Sequence, residues 1–316
     1  MSSPTATLSV TGSLNMDFVV QVERLPAPGE TVLGHGFQMI PGGKGANQAC
    51  AAGKLARDIR VRMVGRVGYD PFADHLKASL AAAGVDVTSV HATDSQPTGI
   101  AQIWVERAGQ NSIVVAGGAN GELSPADIES VRSVYLSSTV SLFQLETPLN
   151  TVEAALRVAR EAGAMTVLDP APARPLAGAL LALVDVLTPN ETEACILLGR
   201  EPSRIGLDEA REMAAELRKL GPRAVVVKLG DQGCLWADEF TDLVSPGFPV
   251  EAVDSTAAGD TFNAALGVAL CEQMPLESAL RFANAAAAIS VTRLGAQSSA
   301  PSRNEVEAFL SERGNG

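Results

Sequence analysis

Two short stretches of this chain gather residue types that can do chemistry. In "VDSTAAGDTFNAAL", residues 253–266, Ala257, Ala258 and Gly259 lead into an apolar helical pattern. Their backbone N–H groups and the positive end of the helix make a place for an anion, and Asp260 stands at the same place. A carboxylate there suits a helix cap. It also suits phosphoryl transfer to an alcohol, in which a base takes the hydroxyl proton while N–H donors hold charge on the moving phosphoryl. The second stretch is "MIPGGKGANQACAAGKLA", residues 39–56. Its glycines let backbone approach a ligand closely, and Lys44 and Asn47 project donors at the mouth of a helix packed through small residues. A plain strand-to-helix turn accounts for the same pattern. A Walker A loop does not, because Lys44 is followed by Gly45 instead of Ser or Thr, and no G-x-G-x-x-G follows anywhere in the chain.

The elements that must position these stretches alternate. Apolar runs of strand length at 6–12, 59–65, 140–146, 165–170, 184–190 and 223–230 are separated by amphipathic or alanine-rich helical segments. That alternation predicts an α/β, doubly wound fold: a mostly parallel central sheet with helices on both faces. Two segments break the rhythm, at about 15–42 and 98–118. The second, "TGIAQIWVERAGQNSIVVAGGAN", alternates around "RAGQN" as a β-hairpin does. Both leave the main sheet near the candidate loops, so they are expected to form a small β-sheet lid on a single domain spanning 1–316. A peripheral sheet for dimerisation is the competing reading, and a lid can serve both purposes. Helical spacing at 258–272, 276–292 and 303–313 makes the C-terminal third helical.

Composition excludes several classes. At 316 residues and 46% hydrophobic, the chain buries a large core. Its net charge of −12, with both signs interspersed, leaves no basic stripe for nucleic acid. Cys50, Cys195, Cys234 and Cys271 are widely spaced, without a zinc pattern, as expected of reduced thiols. With three histidines and no G-x-S-x-G elbow, a Ser/His/Asp hydrolase is excluded. No signal-peptide pattern and no apolar run of membrane-spanning length is present, so a cytoplasmic protein with no membrane partner is expected.

"VTGSLNMDFVV", "PGGKGANQ", "FQLETP", "LTPNETEA", "VVKLGDQG", "VDSTAAGDTFNAAL" and "AAAAISVTRLGAQSSAP" follow one another over residues 7–310. In that order they resemble the ribokinase-like (phosphofructokinase B) family of carbohydrate kinases. Within it, "GGKGANQ" and "AAGDTFN" resemble the ribose-phosphorylating branch more than the fructokinase or adenosine kinase branches. The resemblance implies ATP-dependent phosphorylation of D-ribose at O5, with Asp260 as the base and the backbone of Ala257, Ala258 and Gly259 as the anion hole. It implies a sugar pocket of Asn15, Asp17, Gly43, Lys44, Asn47 and Glu146, which makes the 39–56 loop a sugar-binding loop. A site built for hydroxyls suits this, since its own polar groups go unpaired when one is missing. ATP is expected along Asn190, Lys228, Gly230, Asp231, Gly233 and Gly259, with Asn284 near the base.

The resemblance further implies two metal ions. Asn190 and Glu193 would arrange Mg²⁺ through water, although the same pair suits a cap on a helix starting near 191. Asp254, Thr256, Ser290, Arg293, Gly295 and Ser299 would surround K⁺, largely through backbone carbonyls. Ser255, Cys50 and Lys228 depart from the family's usual Thr, Val and Thr; Lys228 either adds a phosphate contact or points to solvent. Apolar positions in 100–116 suit a homodimer through the lid. The competing readings are the same chemistry on 2-deoxyribose, another small sugar or a nucleoside, and a non-catalytic sugar or nucleotide sensor that keeps the fold.

Overall fold

The computed structural model describes residues 6–107 and 110–314. Its strands are β1 (Ala6–Thr11), β2 (Asn15–Val22), β3 (His35–Gly42), β4 (Ile59–Gly68), β5 (Val85–Thr93), β6 (Gly99–Glu106), β7 (Asn111–Ala116), β8 (Val140–Phe143), β9 (Met165–Leu168), β10 (Val186–Leu187), β11 (Ala224–Lys228), β12 (Gly233–Ala237) and β13 (Asp242–Pro246). Its helices are α1 (Lys44–Leu55), α2 (Pro71–Ala82), α3 (Pro125–Ser130), α4 (Arg132–Leu136), α5 (Leu149–Glu161), α6 (Gly178–Leu181), α7 (Glu191–Leu197), α8 (Leu207–Lys219), α9 (Ala258–Cys271), α10 (Leu276–Ser290) and α11 (Arg303–Glu312).

The main sheet runs β13-β12-β11-β10-β9-β8-β1-β4-β5. It is parallel from β5 to β11, and β12 and β13 extend it antiparallel at one edge. Strands in such a sheet are covered on both faces and so read as continuous apolar runs. On β11, Val226 enters the core layer that includes α1, α9 and α10, while Val225 and Val227 enter the layer that includes α5 and α8. The doubly wound α/β architecture expected from the alternation is therefore present, with β5 and the β12–β13 edge added to the strands read from the sequence.

The four remaining strands form a separate sheet, β3-β2-β6-β7. Its strands β2 and β6 pair in parallel over their full lengths, with Asn15 beside Gly99 and Asp17 beside Ala101, and β6 and β7 make the expected hairpin. The tip of that hairpin, at 108–109, lies outside the described residues. Phe18 ties this sheet to the core through an edge-on contact with Phe72 of α2, ring centroids 5.5 Å apart. Phe37, Met39 and Val114 on the Phe18 face, and Ile113 and Val115 on the opposite face, are at least half exposed. Among the described residues no helix is long and apolar enough to cross a membrane.

Candidate active site

In an open parallel sheet the loops at the carboxyl ends of the strands converge, because every strand points the same way. Here that edge gathers the end of β1 (Ser13), leading into Asn15 at the start of β2, and the ends of β8 (Gln144, Glu146), of β9 (Asp169), of β10 (Asn190) and of β11 (Lys228, Gly230). The N-termini of α1 and α9 close over it. A cleft of about 410 Å³ results, lined by Lys44, Asp169, Asn190, Glu193, Lys228, Gly230, Ser255 and the 257–260 turn, among others.

Asp260 is 5% exposed in the first turn of α9. It does not cap the helix; its carboxylate accepts from Asn47 Nδ2 at 3.0 Å and from Gln48 Nε2 at 3.1 Å, both on α1. Burial pushes the Asp260 carboxyl up to about 6, with Asp169 adding to the shift and Lys44 and the two amides opposing it. Burial alone would lower the Lys44 ammonium, but Asp260, Asp169, Glu146 and Glu193 outweigh it and hold the group above its ordinary value. The preceding turn puts Ala257 in the left-handed region, φ 58°, which aims its peptide units before the helix begins. The sequence reading gave the anion the N–H groups of 257, 258 and 259. That of Ala258 is spent on Ser255 O at 3.2 Å, so the turn offers those of Ala257 and Gly259.

On the other side of Asp260, toward the small sheet, Asn15 is buried with its Oδ1 accepting from Asn120 Nδ2 at 2.8 Å. Asn120 also clamps the backbone N–H and carbonyl of Leu14. Asp17 lies over Gly42, where an added Cβ would fall 2.1 Å from Asp17 Oδ2. Gly43 has φ 88°, and a Cβ there would meet Asn15 N at 2.8 Å, so the chain entering α1 must be glycine to pass β2 this closely. Burial, then Glu146 and Asp260, push the Asp17 carboxyl up to about 7. Glu146 accepts from the backbone N–H of Lys44 at 3.1 Å and from Ser13 Oγ, which fixes the glycine loop to the end of β8. Two buried acceptors, Asp17 Oδ1 and Asn47 Oδ1, have no hydrogen-bond partner among the described residues. Such atoms are costly unless a ligand donor meets them.

On the nucleotide side of the expectation, Asn190 and Glu193 form a reciprocal capping box on α7, each bond 2.8 Å. The cap reading is therefore realised, and both residues line the cleft as well. Burial raises the Glu193 carboxyl, with Lys228 opposing and Asp169 adding. Lys228 turns into the cleft instead of outward: its side chain is only 12% exposed and its Nζ lies 3.0 Å from Asp169 Oδ1. Gly230 borders the cleft, whereas Asp231 and Gly233 form the turn into β12, with Gly233 at φ 95°. Asn284 spends its amide hydrogens on Ser245 and on Pro246 O, holding α10 to β13.

The residues assigned to K⁺ lie in the 254–256 loop, at the end of α10 (Ser290) and in the loop that follows it; Asp254 joins the two loops, its oxygens accepting from the N–H groups of Thr256 and Gly295 at 2.9 Å each. Those bonds hold the Asp254 carboxyl low against the opposing effect of burial. Ser290 Oγ and Ser299 Oγ donate to helical and loop carbonyls, and the Arg293 guanidinium turns outward to Glu305.

Sequence reasoning passed over Ser13, Gln48, Asn120, Gln144 and Asp169, which supply much of the site's polar scaffold. Gln48 lay in the glycine motif one position beyond Asn47, and Asp169 ended a strand read correctly. Placement at a strand's carboxyl end was the available signal for the latter.

A family model for the pfkB family of carbohydrate kinases matches residues 5–303. The chain is similar to the ribokinase of Haemophilus influenzae, 42% identical over 96% of this chain and 98% of the relative. It is similar to the ribokinase of Bacillus subtilis at 41% over 96% and 99%. Among solved structures it resembles the ribokinase of Thermotoga maritima, with a TM-score of 0.88 and 40% identity covering 97% of this chain and 99% of that one. It also resembles the Arabidopsis thaliana ribokinase complexed with ribose and ATP, with a TM-score of 0.90 and 34% identity covering 98% and 99%.

Proposed function

The chain belongs to the pfkB family of carbohydrate kinases, and from that premise we infer that it transfers the terminal phosphoryl group of ATP to the 5-hydroxyl of D-ribose. The products are D-ribose 5-phosphate and ADP. The observation that carries the reading is the arrangement around Asp260. A buried carboxylate sits between an N–H turn opening on the 410 Å³ cleft and, on its other side, two orphaned acceptors, Asp17 Oδ1 and Asn47 Oδ1. A polyol supplies hydroxyl donors to those acceptors, and a phosphate supplies oxygens to the turn.

In this mechanism Asn15, Asp17 and Asn47 take the sugar's secondary hydroxyls, and Lys44 and the Glu146-anchored loop hold its outer edge. Asp260 accepts the proton of the primary hydroxyl as that oxygen attacks phosphorus. The N–H groups of Ala257 and Gly259 take up charge on the transferring group, with no reorganisation at the moment of reaction. ATP lies along the wall formed by Asn190, Lys228 and Gly230, beside the 230–233 turn. The small sheet closes over the sugar and keeps water from competing for the phosphoryl.

Two metal ions fit the donor chemistry. Mg²⁺ prefers oxygen ligands and keeps much of its water; Glu193 brings a cleft-lining carboxylate of which the capping box uses one oxygen. When bound, the ion neutralises phosphate charge. The 254–256 and 290–299 segments present a carboxylate, hydroxyls and carbonyls, a set suited to K⁺, which would steady the turn before α9; Lys54 Nζ takes the Gln297 carbonyl at 2.7 Å. The four cysteines are unpaired and buried, in keeping with action in a reducing cytoplasm. The exposed apolar side chains of the small sheet suit a homodimer formed lid to lid.

The test is ADP formation by the purified protein with Mg-ATP and D-ribose, 2-deoxyribose, fructose or adenosine, in sodium or in potassium. Ribose-dependent turnover increased by potassium is expected. Preference for another member of the panel reassigns the pocket, and silence on all four with folded protein refutes the reading.

A further inference from the structure

Asp169 has no task in the mechanism above, yet it joins both halves of the site. It is 3% exposed, just past the end of β9. Its Oδ1 takes Lys228 Nζ at 3.0 Å and its Oδ2 takes Gln48 Nε2 at 3.0 Å. The same Gln48 nitrogen donates to Asp260 Oδ1 at 3.1 Å, while Gln48 Oε1 accepts from Gln144 Nε2 at 2.7 Å. Both amide hydrogens and the carbonyl of Gln48 are therefore in use. At the far end of the chain of bonds, a Cβ added to Gly259 would come within 3.4 Å of Lys228 Nζ. The ammonium lies against the turn that receives the anion, and only one of its three hydrogens is spent on Asp169.

We propose that Asp169 and Gln48 are positioning residues for the phosphoryl transfer. Asp169 holds Lys228 where the terminal phosphoryl of the nucleoside triphosphate enters, and it holds Gln48 in the one amide orientation that presents a donor to Asp260. An ionised carboxylate only accepts hydrogen bonds, so it admits no flipped Gln48; a flipped amide would set its carbonyl against both Asp169 and Asp260. The relay Lys228–Asp169–Gln48–Asp260 thus aligns the nucleotide's cation and the sugar's base as one unit. The charged groups facing Asp260 are Lys44 from α1, Asp169 after β9 and Asp17 on the sugar side, with Glu146 beside Asp17 and Lys44. Lys228 of β11 and Glu193 of α7 stand farther along the cleft.

The inference rests on Asp260 as the base, and its test separates the two. Nucleotide affinity is measured without sugar for the parent and for Lys228→Met. ATP binding should weaken about tenfold or more while ADP binding stays within about twofold, since ADP lacks the terminal phosphoryl. Kinetics then follow for Asp169→Asn and for Asp169→Asn/Lys228→Met. The substituted amide has one acceptor oxygen for two donor neighbours, so it must turn its NH₂ toward one of them. Asp169→Asn should lower kcat about tenfold or more, with the sugar KM within about twofold. It should also move the acid limb of the kcat profile to lower pH, because an anion beside Asp260 is gone.

The double variant should regain part of kcat, as the substituted amide is then free to accept from Gln48, without regaining ATP affinity. A merely structural role for Asp169 would leave the double variant no more active than Asp169→Asn. If Asp169→Asn does not fold, the double variant, which leaves no buried unpaired ammonium, carries the kinetic arm. Equal weakening of ATP and ADP, or parental kcat with an unmoved acid limb, overturns the proposal. Turnover on no sugar of the panel would instead sink the ribose reading, and the nucleotide arm would still decide the place of Lys228.

Discussion

Replacing Asp260 with asparagine removes the proton acceptor and leaves the volume almost unchanged. Its two oxygens take Asn47 Nδ2 and Gln48 Nε2 in the parent, and the amide of the variant can keep only one of these bonds. Losing the other costs about 1–3 kcal/mol. Against that stands a buried charge removed. The carboxyl is raised from 3.8 to about 6, which corresponds to roughly 3 kcal/mol. The neutral form's advantage is complete below 3.8 and is lost as pH rises through about 6, so at pH 7.5 the parent bears the penalty and the variant does not. The two effects offset, and the variant should melt within a few degrees of the parent at that pH. Turnover should not survive so well, because a positioned base contributes about 10²–10⁴-fold. With the base titrating near 6, the parent's kcat should fall about tenfold from pH 7 to pH 5. Coupled measurement of ADP release over pH 5–8, beside thermal melting, checks all three. A variant that melts like the parent yet keeps more than about one-tenth of its kcat would refute the assignment of Asp260 as the base.

Asp17→Asn should be more stable than the parent at pH 8 and no more stable at pH 4, by thermal melting. The Asp17 carboxyl is raised from 3.8 to about 7, so the parent loses the neutral form's stability across that window, at most about 4 kcal/mol; a difference independent of pH would contradict this. Asn120→Ala removes three hydrogen bonds and strands Asn15 Oδ1; denaturant unfolding should show a loss of about 3 kcal/mol, with a raised sugar KM. Gly42→Ala drives a methyl into the Asp17 carboxylate. It should raise the sugar KM about tenfold or more with ATP affinity, measured by calorimetry, unchanged; an equal loss of both would place Asp17 away from the sugar.

The parallel strands and their helices were legible because a strand buried on both faces must be apolar throughout, a demand local enough to show in runs such as "AVVVK". The edge strands were less so. β5 mixes buried and exposed positions, and β12 and β13 depend on pairing with β11 for their place. The glycine loop and the "TAAGD" turn were legible because each needs an unusual local backbone, seen in Gly43 and Ala257 at positive φ. Lys228 was not, since nothing adjacent in the chain says whether a lysine at the end of a strand meets water or a carboxylate.

By itself the sequence determined the α/β alternation, the hairpin segment, the helical C-terminal third and the motifs that carry the family resemblance. All of these are set by residues within a few turns of one another. Only the tertiary structure decided that Asn120 clamps Asn15 and that Lys228 pairs with Asp169. It alone decided that Gln48 bridges Asp169 and Asp260, partners 121 and 212 positions away. Such contacts arise where the strands end, and their energy depends on burial, which removes the competing water and which no local stretch of sequence specifies.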